Sequence, residues 1–142
     1  MILDTLGQLN WLAVIVAAVV YFALGAVWFT PAFLGRPWMR SIGWDESRQP
    51  PQANPVSYAV PALLYLLAAI ATAMLARATG TADVGSGIVL GLIVGVGYAL
   101  TVTATDAVFD PNKPQPWVWF AISGGYHLLG LVAVAIIVSV WR

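Results

Sequence analysis

Cysteine is absent from the chain. With it go disulfides, thiolate metal sites, iron–sulfur clusters, thiol nucleophiles and a lipoprotein anchor. Charge is scarce. Asp, Glu, Lys and Arg make up 8% of the residues, against about 25% in an ordinary soluble domain. The few charges sum to zero, which removes the electrostatic case for nucleic acid or an acidic soluble partner. There is one histidine, and no acidic pair is spaced for acid–base work within a helix. Gly85-Ser86-Gly87 lacks the following lysine and the strand context of a phosphate-binding loop. No run of residues has the spacing of a metal-ligand set. The expectation is a protein that is not an enzyme and holds no metal.

What remains is apolar. Hydrophobic residues make up 61% of the 142. A bilayer core about 30 Å thick is crossed by roughly 20 apolar residues in a helix. Four stretches meet that length, at about 9–29, 56–75, 84–109 and 117–141. Backbone groups in lipid must be satisfied within the segment, so each is expected to be helical. No polar–apolar alternation supports a barrel. The first run lacks a preceding Lys or Arg, has Asp4 where a basic region belongs, and is followed by no small-residue cleavage site. It is expected to be a mature helix and not a leader. The expected fold is all-α: one transmembrane domain over residues 1–142, a polytopic bundle of four helices.

Punctuation marks the ends. Pro31 stops the first helix, Asn54-Pro55 opens the second, and Arg77 and Gly80 close it. Asp110-Pro111-Asn112 turns the chain after the third, and Pro114 and Pro116 hold it extended to the fourth. Trp11, Trp28, Trp117, Trp119 and Trp141 fall at membrane edges, as an aromatic belt does. Pro61 lies inside the second helix and predicts a bend, because it gives no N–H to Ser57. In the loop 31–54, Leu34, Trp38 and Ile42 repeat every fourth residue, and so do Arg36 and Arg40 on another face. This pattern predicts a short amphipathic helix in the interface, with aromatics in acyl chains and guanidinium groups at phosphates. Residues 45–54 read as an exposed link. Arg36, Arg40, Arg48 and Lys113 lie on one side, against Arg77, Arg142 and the amino terminus. That bias predicts a multi-pass protein of the inner (plasma) membrane with the first loop cytoplasmic and both termini outside.

Gly25-Ala26-Val27-Trp28-Phe29-Thr30-Pro31 is followed by Phe33-Leu34-Gly35 and Trp38, and Asn10-Trp11 opens the first helix. This order resembles the signature of domain-of-unknown-function family 1761, a group of small bacterial membrane proteins. The resemblance covers nearly the whole chain. It implies the four-helix layout and brings no activity with it.

His127 is the most informative residue. Counting from Trp117 places it about 15 Å deep, near the bilayer midplane. Ser123, Gly124 and Gly130 share its face. Three roles suit it: an interhelical hydrogen bond that fixes packing, a proton relay or solute contact, and an axial ligand to haem or a chlorophyll-type pigment. Tyr98, Thr101 and Thr105 form a polar stripe on the third helix. Depth counting brings Tyr98 and Thr101 level with His127, which predicts hydrogen bonds between them unless the threonines bond their own backbone. Asp106 and Asp110 oppose the helix dipole. Asp106 is therefore expected to pair with Arg36 or Arg40 and pin the first loop, or else to stay solvated. Gly87, Gly91 and Gly95 make a zipper face, and Gly124, Gly125 and Gly130 flatten the fourth helix. The zipper predicts either packing on the first helix at Ala13, Ala17 and Gly25 or a homo-oligomer seam. Tyr21-Phe22-Ala23-Leu24 faintly echoes Tyr98-Ala99-Leu100, too thinly to define a repeat.

These residues support two functional expectations. One is small-solute or ion permeation by a homo-oligomer, with His127 and the stripe lining the path and Asp106 at its mouth. The other is a non-catalytic accessory subunit that docks on a membrane-protein partner, or on haem or pigment held by His127. Lipid binding by Arg36, Trp38 and Arg40 is a weaker third.

Overall fold

A computed structural model describes residues 2–45, 47 and 54–142. Arg48 and most of the 45–54 link lie outside the described residues. A 3-10 turn over Ile2–Gln8 leads into the first long helix and packs beside the third element named below. Helix α1 spans Trp11–Trp28, and the Asn10 side chain accepts from the Ala13 N–H at 3.2 Å to cap it. The short helix α2 covers Gly35–Ser41. Gly35 is needed there: a Cβ would lie 2.3 Å from the Phe29 carbonyl oxygen, so only glycine lets the chain fold back so tightly. Helix α3 covers Pro55–Ala78, with Asn54 accepting from Ser57 N–H at 3.0 Å and proline in the first turn, as the sequence predicts.

The third apolar stretch is one rod of three parts. Helix α4 covers Val84–Val94 and opens on a reciprocal Asp83–Ser86 capping box. A π-helical segment, Gly95–Leu100, follows, and then helix α5 over Thr101–Phe109. The wider π turn rotates the face that follows it relative to a straight α-helix. Helix α6, Pro116–Val140, completes the chain. Trp11–Trp28, Pro55–Ala78, Val84–Phe109 and Pro116–Val140 are each long and apolar enough to cross a bilayer. The fold is the expected four-helix membrane bundle.

Its centre is α6, which touches every other long helix. Helices α1 and α3 pack on one side of it and the α4–α5 rod on the other. Small residues close the α1–α3 contact: Ala13, Ala17, Ala69, Ala73 and Ala76 are almost fully buried. Without a hydrophobic drive between helices in lipid, close packing of small side chains is what holds them. On the other side, Gly87, Gly91 and Gly95 lie against the backbone of Ile136, the backbone of Val132 and the side chain of Leu128. This corrects the expectation for the zipper. It is neither on the first helix nor an oligomer seam, but is used up against α6 within one chain. Large apolar residues such as Leu12, Ile15, Val19, Leu63, Leu67, Val89 and Ile93 face outward. The ends carry exposed Trp11, Trp117 and Trp141.

At one end α2 meets the turn between α5 and α6: Gln115 N–H donates to the Ser41 carbonyl at 3.2 Å. Arg36, Arg40 and Lys113 share that end. Arg77 and Arg142 converge at the other, beside Asn10 and Trp141.

Candidate functional site: a tyrosine–histidine cluster behind a lateral groove

His127 sits midway along α6. Its Nδ1 lies 2.7 Å from the hydroxyl of Tyr21 on α1. Tyr21 is 3% exposed, and its ring stacks on Tyr65 of α3 at 4.3 Å between centroids. Tyr126, 1% exposed, donates its hydroxyl proton to the Tyr21 carbonyl at 3.0 Å. Its ring lies 4.8 Å from the imidazole and 6.0 Å from Tyr65. Three helices therefore each send a tyrosine to one imidazole.

Two glycines make room for this. A Cβ on Gly130 would lie 2.1 Å from the Tyr21 ring, and one on Gly25 would lie 2.8 Å from the Tyr126 hydroxyl. The arrangement is reciprocal. Tyr21-x3-Gly25 on α1 and Tyr126-x3-Gly130 on α6 run antiparallel, and each tyrosine covers the other helix's glycine. One pattern fits its own copy because two antiparallel helices are related by a local two-fold axis. Sequence reasoning missed Tyr21 and Tyr65 as partners. The available signal was the repeated tyrosine followed by glycine one turn later.

The stripe on the third rod lies elsewhere. Tyr98 is 69% exposed on the outer surface. Thr101 bonds the Gly97 and Tyr98 carbonyls at 2.9 and 2.8 Å, and Thr105 bonds the Thr101 carbonyl at 2.9 Å. The predicted bonds from Tyr98 and Thr101 to His127 are thus corrected: α1 supplies the partner, and the threonines satisfy themselves on their own helix.

Two tryptophans expected in the lipid interface also turn inward. Trp28 Nε1–H donates to the Ile122 carbonyl at 3.0 Å, and Trp38 Nε1–H donates to Ser123 Oγ at 3.2 Å. Ser123 is therefore committed to α2 and not to His127. Trp38 anchors α2 on the bundle where acyl-chain contact was expected. Gly124 packs on Leu100 and Thr103 across the α5 side, and Gly125 leaves ordinary contact room for Trp28. Trp117 stays exposed, while Trp119 carries the Lys113 ammonium 4.2 Å above its ring.

Asp106 is reached by Lys113 at 2.9 Å, and Lys113 also clasps Asp110. The first-loop arginine expected on Asp106 is replaced by this closer lysine, which the proline-held turn folds back over both carboxylates. Arg36 and Arg40 occupy exposed positions on α2. The Lys113 hydrogen bond, reinforced by the Asn112 N–H, holds the Asp110 carboxyl below the usual carboxylate range. Burial works to lower Lys113, but its bonds to Asp110 and Asp106 outweigh this and raise it.

Beside the tyrosines, between α1 and α3, lies a groove of about 570 Å³. Its walls include Phe22, Phe29, Thr30, Ser57 and Tyr58, and Tyr65 and Tyr126 close its inner end. Ala26 and Tyr58 are exposed, so the groove opens sideways. Pro61 lines it and has no N–H to give the Ser57 carbonyl, which is left as an acceptor there. For a cofactor, His127 has only Nε2 left, since Nδ1 faces Tyr21. Among the described residues no group of three His, Cys, Asp or Glu is placed to hold a metal.

No curated protein and no solved structure matches the chain. The model of one family does, and with residues 12–139 matched the chain belongs to DUF1761, a family of proteins of unknown function.

Proposed function

We propose that this membrane protein passes a small solute through the bilayer without catalysis, and that the groove between α1 and α3 is where the solute first binds. One observation carries the reading: a groove of ligand size ends on the cluster that holds the chain's only histidine. Tyr65 and Tyr126 form the closed barrier between groove and imidazole. An ionisable group at this depth is costly in lipid and is retained where it serves a path or a partner. The path differs from the one the sequence suggests, since the Tyr98–Thr105 stripe and Asp106 face outward. The test is flux of uncharged solutes and of ions into liposomes reconstituted with the protein. Flux above that of empty liposomes, and lost in His127→Leu with the fold intact, supports the reading. Flux unchanged by that substitution sinks it.

The accessory-subunit reading is favoured by a different surface. Tyr98, Val102, Val108 and Phe109 project from the α4–α5 rod, and Thr101, Thr105 and Asp106 line a recess among them. Another copy of the chain or a larger membrane protein would cover this face. Haem or pigment held through His127 Nε2 belongs to the same reading. Gentle solubilisation discriminates: a coloured particle, or one containing other polypeptides, favours it. The sequence bias of Arg36, Arg40, Arg48 and Lys113 over Arg77 and Arg142 supports a cytoplasmic first loop in an inner membrane.

A further inference from the structure

The groove has a second part. Along the same α1–α3 seam runs a furrow of about 260 Å³ lined by Ile15, Ala18, Val19, Phe22, Ala62 and Leu66. Phe22 belongs to both. The two together form one lane, aromatic and hydroxyl-bearing toward the loop end and, beyond the shared Phe22, aliphatic toward the middle of the bundle. Among the described residues no charged one lines either part. An ionic ligand would enter unpaired, at a prohibitive cost in this setting. Five of the eleven residues around the wider part are Phe or Tyr, and flat rings stack on such walls. At the closed end, Tyr126 has given its proton to the Tyr21 carbonyl and offers only lone pairs, and the Tyr65 hydroxyl gives its proton to them. Ser57, two turns or about 12 Å nearer the mouth, adds a carbonyl freed by Pro61.

We infer that the lane takes a neutral, membrane-dissolved lipid of the quinone and quinol class, with its oxygen-bearing ring among the tyrosines and its apolar tail in the furrow. The ring accepts from Tyr65 through a carbonyl oxygen, which takes the place of the Tyr126 oxygen as the acceptor. The tail runs toward the bilayer middle, in the sense in which membrane lipids themselves lie. This names the substrate class of the groove, and so rests on reading the groove as the solute site.

The experiment is equilibrium dialysis of decylubiquinone against nanodiscs carrying the protein and against empty nanodiscs. Duroquinone, which has no tail, and anthraquinone-2-sulfonate, which is charged, serve as comparisons. Decylubiquinone is expected to bind above the level of empty discs and the sulfonate is not. Tyr65→Phe weakens both neutral probes about fivefold to tenfold, the loss of one hydrogen bond. Ala26→Trp fills the ring site from the exposed side and abolishes binding. Ala62→Phe fills the furrow and weakens only the tailed probe. Circular dichroism and gel filtration verify that each variant folds. Partition no greater than into empty discs, equal binding of the sulfonate, or indifference to both Tyr65→Phe and Ala26→Trp overturns the inference. Flux of another solute with no quinone binding rejects the ligand class and leaves transport standing. Quinone binding without any flux does the reverse.

Discussion

Replacing Gly130 by alanine adds one methyl group to α6 at the most crowded point of the bundle. That carbon would sit 2.1 Å from the Tyr21 ring, so the ring must retreat by more than an ångström to reach the 3.4 Å of ordinary contact. Tyr21 has little freedom to do so, being stacked on Tyr65 and bonded to His127. Overpacking of this kind costs about 1–3 kcal/mol. Losing the Tyr21–His127 bond adds about 0.6–1.5 kcal/mol. Alanine returns about 1 kcal/mol through its better helix propensity. The net expectation is a loss of about 1–3 kcal/mol.

A double-mutant cycle isolates the cause. Gly130→Ala, Tyr21→Ala and the pair are compared by reversible unfolding in mild detergent. With the ring gone, the new methyl loses its three nearest contacts, all of them Tyr21 ring atoms, and Gly130→Ala becomes neutral or slightly stabilising. The two changes should therefore couple by about 1–4 kcal/mol, since the helix-propensity gain is common to both backgrounds. Gly125→Ala is the control, since its new carbon would find Trp28 at an ordinary 3.7 Å. If Gly130→Ala costs as much without the Tyr21 ring as with it, the reciprocal tyrosine–glycine packing does not hold α1 to α6.

Two further outcomes follow from the loop end. Asp110 is lowered, so its share of stability is present above the unfolded carboxylate value of about 3.9 and is lost as pH falls through the depressed folded value. Lys113 is raised, so its share is complete below about 10.4 and is lost as pH rises through the folded value. Amide exchange at residues 110–115 should accordingly speed up, relative to the helices, only below about pH 4 and above about pH 10.5. An unchanged rate ratio across both limits would mean the clasp holds nothing. Trp38→Phe keeps the ring packed on Phe29 but removes the Ser123 bond. Faster proteolysis within residues 31–44, with unfolding of the bundle shifted by no more than about 1 kcal/mol, is expected; equal protease resistance would show that α2 is held by other contacts.

The four spans were legible because lipid imposes two crude demands, length and apolarity, that any window of sequence displays. The cap at Asn54 was legible for a similar reason: it acts within three residues of itself. Partners across the bundle were not. Depth counting put Tyr98 and Thr101 level with His127, but depth leaves the facing direction open. Tyr98 lies within the π segment Gly95–Leu100 and faces outward, and nothing in a run of apolar residues announces a wider turn. Lys113 against the arginines was a contest between a seven-residue tether and a contact through the fold, and the shorter tether won. Trp28 and Trp38 look in sequence like the other belt tryptophans, and only the position of α6 decides that their N–H groups go inward.

Glycine carried the information that was hardest to read. A glycine in a helix says that something approaches, and it does not say what. In this chain the nine-residue zipper at 87, 91 and 95 and the single glycines at 25 and 130 solve different problems. The zipper admits α6 backbone and flexible aliphatic ends along a seam. Gly25 and Gly130 each admit one rigid ring system bearing a polar group, at the level where α1, α3 and α6 meet. A seam needs only small residues at regular spacing, so it shows as a motif. A ring-sized notch needs one glycine and one tyrosine on opposite helices, a hundred residues apart in the chain. It becomes visible only when both helices carry the same Tyr-x3-Gly step and run antiparallel. That is why the packing seam was legible as a pattern while the cluster around His127 was not, although the cluster is the part of the fold that meets the groove.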